Sequence, residues 1–130
     1  MIVDSSALIA LLKAEPEAAA IAAVLDSARG TARMSAANYL EAGIVVDRNL
    51  TPADAGRLDQ IIEEFEIEIA PVTADQARVA RSANRRFGKH SGHAAALNFG
   101  DCFAYALAIT TGEKLLFKGR DFAATDIVAA

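Results

Sequence analysis

Four carboxylates stand where the surrounding residues are apolar. Asp4 lies between Ile2-Val3 and the run Ala7–Leu12 in MIVDSSALIALL. Glu41 sits in SAANYLEAGIVV, with Ala37, Ile44 and Val45 at i−4, i+3 and i+4. On a helix that spacing puts it inside the apolar stripe, where an unpartnered glutamate is rarely found. Asp101 is the only charged residue between Leu97 and Thr111 in LNFGDCFAYALAIT. Asp121 follows the apolar run KLLF through KGR. Each acid also has a plainer reading. Asp4 can cap the helix after it, and Asp101 can close a capping box with Asn98. Glu41 can pair with Arg48 or a distant arginine, and Asp121 can be a turn residue.

Together the acids point to one chemistry. Carboxylates converging in a partly dry pocket repel one another and protonate unless a cation intervenes. All-oxygen donors select Mg²⁺, with Mn²⁺ as a substitute, over Zn²⁺. His90 and His93 lie three apart in a glycine-containing loop, with no cysteine or third histidine beside them, a poor zinc pattern. The expectation is a divalent-cation site built from these acids. Ser5, Ser6 and Ser35 lie beside these acids. They can hydrogen-bond a carboxylate or a water, or cap the helices that follow.

Something must carry these residues to one place. MIVD reads as a short strand and residues 5–13 as a helix, with Leu8, Leu11 and Leu12 on one face. Pro16 suits the first turn of a second helix reaching Ala28, which Gly30 ends. A strand entering Ser35 leads to a helix from about 36 to 48. Thr51-Pro52 starts another helix, EIEIAPV reads as a strand near an edge, and Thr73 caps a helix to about Phe87. Asn98 caps a helix to Thr111, stopped by Gly112. KLLF is a strand, GRDF a turn and DIVA a possible final strand. Strands alternating with helices predict an α/β fold, a short, mainly parallel sheet with helices on both faces. No linker or repeat divides the chain, so residues 1–130 read as one domain.

Composition narrows the function. Of 130 residues, 17 are acidic and 13 are Lys or Arg, for a net charge of −4. That argues against coating nucleic acid by charge neutralisation, but not against meeting phosphate through a cation. Five of the basic residues cluster: Arg78, Arg81 and Arg85 on one helical face, then Arg86 and Lys89. They are expected to grip phosphates of a nucleic-acid substrate, against the alternative of a solvated helix face. The lone Cys102 permits no internal disulfide and reads as a buried, inert thiol. No apolar run reaches the ~20 residues of a membrane span, and the start lacks a basic leader; a cytoplasmic protein is expected. The apolar helices at 5–28 and 36–48 have surface to spare for a second copy or another partner.

The segments MIVDSSALIALL, SAANYLEA, LNFGDCFAYALA and LLFKGRDFAATDI resemble, in order and spacing, those of the PIN domain, and most of all VapC-type toxins of toxin–antitoxin pairs. The resemblance spans residues 1–128. It implies a PIN-like three-layer sandwich and an endoribonuclease that hydrolyses phosphodiesters at a Mg²⁺ site formed by Asp4, Glu41, Asp101 and Asp121, with Asp4 and Asp101 on the main ion and Glu41 and Asp121 positioning waters or a second ion. It also implies a tRNA or rRNA target, a VapB-type antitoxin and a homodimer. The family often has Asn, Ser or Thr two residues before the last acid; here stands Gly119. Two rivals remain. A phosphatase of the haloacid-dehalogenase type needs a second aspartate two residues after the first, where this chain has Ser6. A non-catalytic module can retain the acids for structure alone.

Overall fold

The computed structural model describes residues 1–49 and 51–130. Strands β1 (Ile2–Val3), β2 (Arg33–Ser35), β3 (Glu68–Ala70) and β4 (Leu115–Leu116) form one parallel sheet in the order β3-β2-β1-β4. Ile2 registers with Arg33 and Leu115, and Ser35 with Ala70. Helices α1 (Ser5–Leu12) and α2 (Ala18–Ser27) join β1 to β2, and α3 (Ala36–Asn49) and α4 (Pro52–Glu64) join β2 to β3. The chain then crosses back through α5 (Ala74–Phe87) and α6 (Phe99–Thr111) to β4, on the far side of β1. The gap between β1 and β4 is therefore where the winding reverses, the usual place for a site in an open parallel sheet.

The three layers follow from a period-2 alternation that splits adjacent residues between two cores. Ile2 and Leu115 join Phe87, Leu97, Tyr105 and Leu107 under α5 and α6. Their neighbours Val3 and Leu116 join Leu8, Leu25, Met34 and Val46 under α1 to α4. Truncating a fully buried side chain such as Leu8 or Leu107 would cost about 2–5 kcal/mol. Helix α6 is buried on nearly every side, from Gly100 to Ala108. This explains why its sequence carries a single charge.

Local signals set the helix ends. Thr51 and Asp54 form a reciprocal capping box, with Pro52 in the first turn. Thr73 Oγ1 accepts from Gln76 N, and Gly112 closes α6 at φ +68°, which favours glycine. Two expectations differ. Pro16 lies in a turn before α2, which starts at Ala18. DIVA forms no strand; only Ala129 bridges to Leu115, whose N donates to Val128 O and whose O accepts from Ala130 N at the outer edge of the two-residue β4. Among the described residues no helix is long and apolar enough to cross a membrane.

Candidate active site

Asp4 ends β1 at the reversal point and does two things at once. As the N-cap of α1, its Oδ2 accepts from Ser6 N at 3.0 Å and Ser6 Oγ at 2.5 Å. Ser6 Oγ in turn accepts from Lys118 N at 3.0 Å, which ties the loop after β4 to the same point. The other oxygen, Oδ1, is buried and meets no hydrogen-bond donor. The plain reading of Asp4 as a cap is thus met by one oxygen, and the other is left without a partner among the described residues.

Glu41 comes from the middle of α3 and is held by neighbours. Its Oε2 accepts from Ser5 Oγ at 2.8 Å and Asn38 Nδ2 at 3.2 Å. No arginine reaches it; the core salt bridge considered above is absent among the described residues. Asn38 also donates to Gly100 O at 3.0 Å, locking α3 to the first turn of α6. A β-carbon at Gly100 would overlap the Glu41 carboxylate, so glycine there leaves that side chain its position. Asn38 and Gly100 escaped the sequence reading. The available signals were an Asn one turn before Glu41 and a Gly beside Asp101.

Asp101 lies at the third position of α6. Its Oδ2 accepts from Asn98 N at 2.7 Å while Asn98 Oδ1 accepts from Asp101 N at 2.9 Å. The capping box is therefore real, and Asp101 remains only 8% exposed. Ser35 caps α3, accepting from Ala37 N at 3.3 Å, and touches none of the four acids through a hydrogen bond. Asp121 is exposed, just before a short 3-10 turn at Phe122–Ala124. Gly119, two residues earlier, has φ +105°, a conformation that disfavours the Asn, Ser or Thr usual there.

Electrostatics join these groups. Burial raises the Asp101 carboxyl, the bond from Asn98 N opposes this, and the charges of Asp4, Asp121 and Glu41 add to the rise, which brings it to about 6. Burial likewise raises Asp4, with the Ser6 bonds opposing and Glu41 adding to the rise. Yet no three His, Cys, Asp or Glu side chains among the described residues form a closed cage for an ion. The two observations agree physically. Charges act over a longer range than coordination bonds, so the acids are coupled without forming such a cage. The donor set fits a divalent cation: oxygen donors only, one buried carboxylate oxygen without a donor, and no local positive charge. Burial and Asp101 also raise the Cys102 thiol, which suits an inert core residue.

The basic residues divide. Arg78 pairs with Asp75, and Arg86 with Asp126 at 3.4 Å, on the C-terminal segment. Arg81, Arg85 and Lys89 are exposed, and none forms a salt bridge among the described residues.

The PIN domain family model matches residues 1–128. This chain belongs to the PIN-domain family. Ribonuclease VapC28 of Mycobacterium tuberculosis is 53% identical over 130 residues, covering all of this chain and 97% of the relative. A ribonuclease VapC of Mycolicibacterium smegmatis is 45% identical, with 99% and 98% covered. The chain is thus a PIN domain of the VapC ribonuclease group, an enzyme class of RNA hydrolases. The fold also matches solved structures: VapC20 of M. tuberculosis, a sarcin-ricin loop cleaving toxin (TM-score 0.80, 19% identity, 99% and 97% covered), and a toxin–antitoxin complex from Klebsiella pneumoniae (TM-score 0.73, 16% identity, 99% and 95% covered).

Proposed function

We propose that this PIN domain is a divalent-metal-dependent endoribonuclease, the toxin of a toxin–antitoxin pair, with Asp4, Glu41 and Asp101 as its core and Asp121 at the rim. One observation carries the reading: Asp4 and Asp101 are buried carboxylates whose charges act on each other, no basic side chain pairs with them among the described residues, and Asp4 Oδ1 has no donor. In this reading Asp4 and Asp101 hold Mg²⁺ or Mn²⁺. When bound, the ion polarises the scissile phosphate and makes a water more acidic.

The chain's own residues supply the rest. Ser6 and Asn98 fix one oxygen each of Asp4 and Asp101, leaving the other free to face the ion. Ser5 and Asn38 orient Glu41 toward the same end of the sheet. The exposed Asp121 adds negative charge at the rim of the site, where it acts on Asp101. Arg81, Arg85 and Lys89 offer unpaired charge to RNA phosphates, whereas Arg78 and Arg86 act through the tethers that already hold them. The target is a tRNA or rRNA met in the cytoplasm; the solved VapC20, described as cleaving the sarcin-ricin loop, supports structured RNA. A VapB-type antitoxin and a second copy are the partners. The similarity to a toxin–antitoxin complex supports the first, and the exposed Leu40 and Ile44, one turn apart on α3, support an apolar contact.

The test is incubation with total tRNA and rRNA in Mg²⁺, Mn²⁺ and EDTA, beside calorimetric titration of each metal. Cleavage confined to the metal arms, with a single class of metal site lost in Asp4→Asn, is expected. Cleavage in EDTA, or metal uptake unchanged by Asp4→Asn, would overturn the assignment.

A further inference from the structure

The first turn of α6 separates two unlike surfaces. On one side Gly100 and Asp101 face α3 and the acids. On the other lies a groove of about 530 Å³ between α5 and α6 that contains none of the four acids. Its floor is apolar, with Ala80, Leu97 and Cys102, and its rim carries Arg81, Asn84 and Lys89. Phe99 and Phe103 line it as well, stacked edge to face with ring centroids 4.9 Å apart at 84°. Phe99 is 82% exposed, more than any other large apolar side chain described. Burial in the core does not account for an aromatic held there.

We propose that this groove is a stacking slot for an unpaired nucleobase of the RNA substrate, with the face of Phe99 as its platform. The inference rests on the ribonuclease reading and names how that site takes its substrate. Three features favour a base over an apolar protein side chain. An exposed ring flanked by cations is the pairing by which proteins bind single strands: stacking for bases, positive charge for phosphates. Arg81 and Lys89 form no salt bridge among the described residues, so their charge is free to meet a backbone. Asn84 and the groove-lining Asn98 place amide groups where a base edge needs donors and acceptors. Asn98 is also the cap that orients Asp101, so the slot and the acids share one residue across a helix ~10 Å wide. A strand draped over the end of α6 meets both within a nucleotide or two. The slot would therefore select the base beside the scissile phosphate by its fit and stacking.

The experiment compares Phe99→Ala, Phe99→Leu and Phe99→Tyr. Binding is measured in EDTA, by fluorescence of a single-stranded RNA 12-mer of mixed sequence carrying 2-aminopurine. Cleavage of total tRNA and rRNA in Mg²⁺ or Mn²⁺ and the oligomeric state by light scattering complete it. Phe99 is exposed, so the fold should tolerate all three changes. Ala and Leu are expected to weaken binding roughly 5- to 100-fold and to raise KM with little change in kcat, while Tyr behaves as wild type and quenching of 2-aminopurine vanishes with Leu. Wild-type binding by Ala, or a Leu variant equal to Tyr, would overturn the slot. So would a KM defect that appears only with loss of oligomer, since the face would then join copies of this chain. Should the wild type cleave no RNA while the binding pattern holds, the slot stands and the metal-dependent cleavage falls.

Discussion

The two ends of the sheet treat buried acid in opposite ways. At the amino ends of the strands, Glu113 lies just before β4 and pairs with both the Met1 ammonium and Arg33. Burial would raise its carboxyl, but these two cations bring it below its ordinary value. At the carboxyl ends, Asp4 and Asp101 are buried more deeply than Glu113, no basic side chain pairs with them among the described residues, and both are raised. A protein seeking stability alone would build the first arrangement twice. The second is costly by itself, and either a proton or a bound cation would relieve that cost.

The largest effect expected from breaking this contrast is on activity. Asp4→Asn and Asp101→Asn keep the capping oxygens but remove the charge. Each should lower cleavage by about 10³-fold or more, roughly 4 kcal/mol of barrier. In EDTA each should raise the melting temperature, because a buried unpaired charge is gone. A variant that loses both activity and stability would instead place the acid in a structural role.

Next in size is Gly100→Ala, which leaves every acid in place. The added methyl should push Glu41 aside, costing about 1–3 kcal/mol of stability and roughly 10- to 100-fold in cleavage. Kinetics and thermal melts at wild-type levels would show that α3 and α6 need not meet so closely.

The pH dependence should sharpen the comparison further. Asp101 binds its proton more tightly folded, at about 6, than at its ordinary 3.8. Metal-free protein should therefore lose stability as pH rises from about 4 to 6, by at most ~3 kcal/mol. Glu113 has the opposite sign: its contribution is complete above the ordinary glutamate value and is lost as pH falls through its lowered one. Melts in EDTA should thus peak in mild acid, and Mg²⁺ should raise the pH 7.5 value more than the pH 5 value. A metal-free curve flat between pH 5 and 7.5 would contradict the raised carboxyls.

The smallest effect belongs to the satisfied end. Glu113→Gln should cost about 1–2 kcal/mol, less than full burial would impose because the Arg33 side chain is 35% exposed. Cleavage should be unchanged, measured alongside the melt. A loss of activity here would mean that the two ends are coupled through β1.

Much of this was legible in the chain itself. Thr51, Thr73, Asn98 and Gly112 mark helix ends because a side-chain oxygen or a left-handed residue acts within a few positions. The stranded acids stood out because their neighbours are apolar, and burial of a charge leaves a trace in local sequence. The full PIN resemblance came from four such segments in order. What no local pattern reveals is which oxygen does which task. Asp4 was readable as a cap or as a ligand, and only the folded chain shows Oδ2 on Ser6 and Oδ1 without a donor. The basic stripe shows the same limit. Helical periodicity put Arg78, Arg81 and Arg85 on one face, but long side chains settle by partners from elsewhere. Asp126 claims Arg86, while Arg81 and Lys89 line the groove beside Phe99. Residue type and spacing determine which groups are present and in which element. Partners distant in sequence, brought together by the sheet reversal between β1 and β4, decide which of them remain free to act.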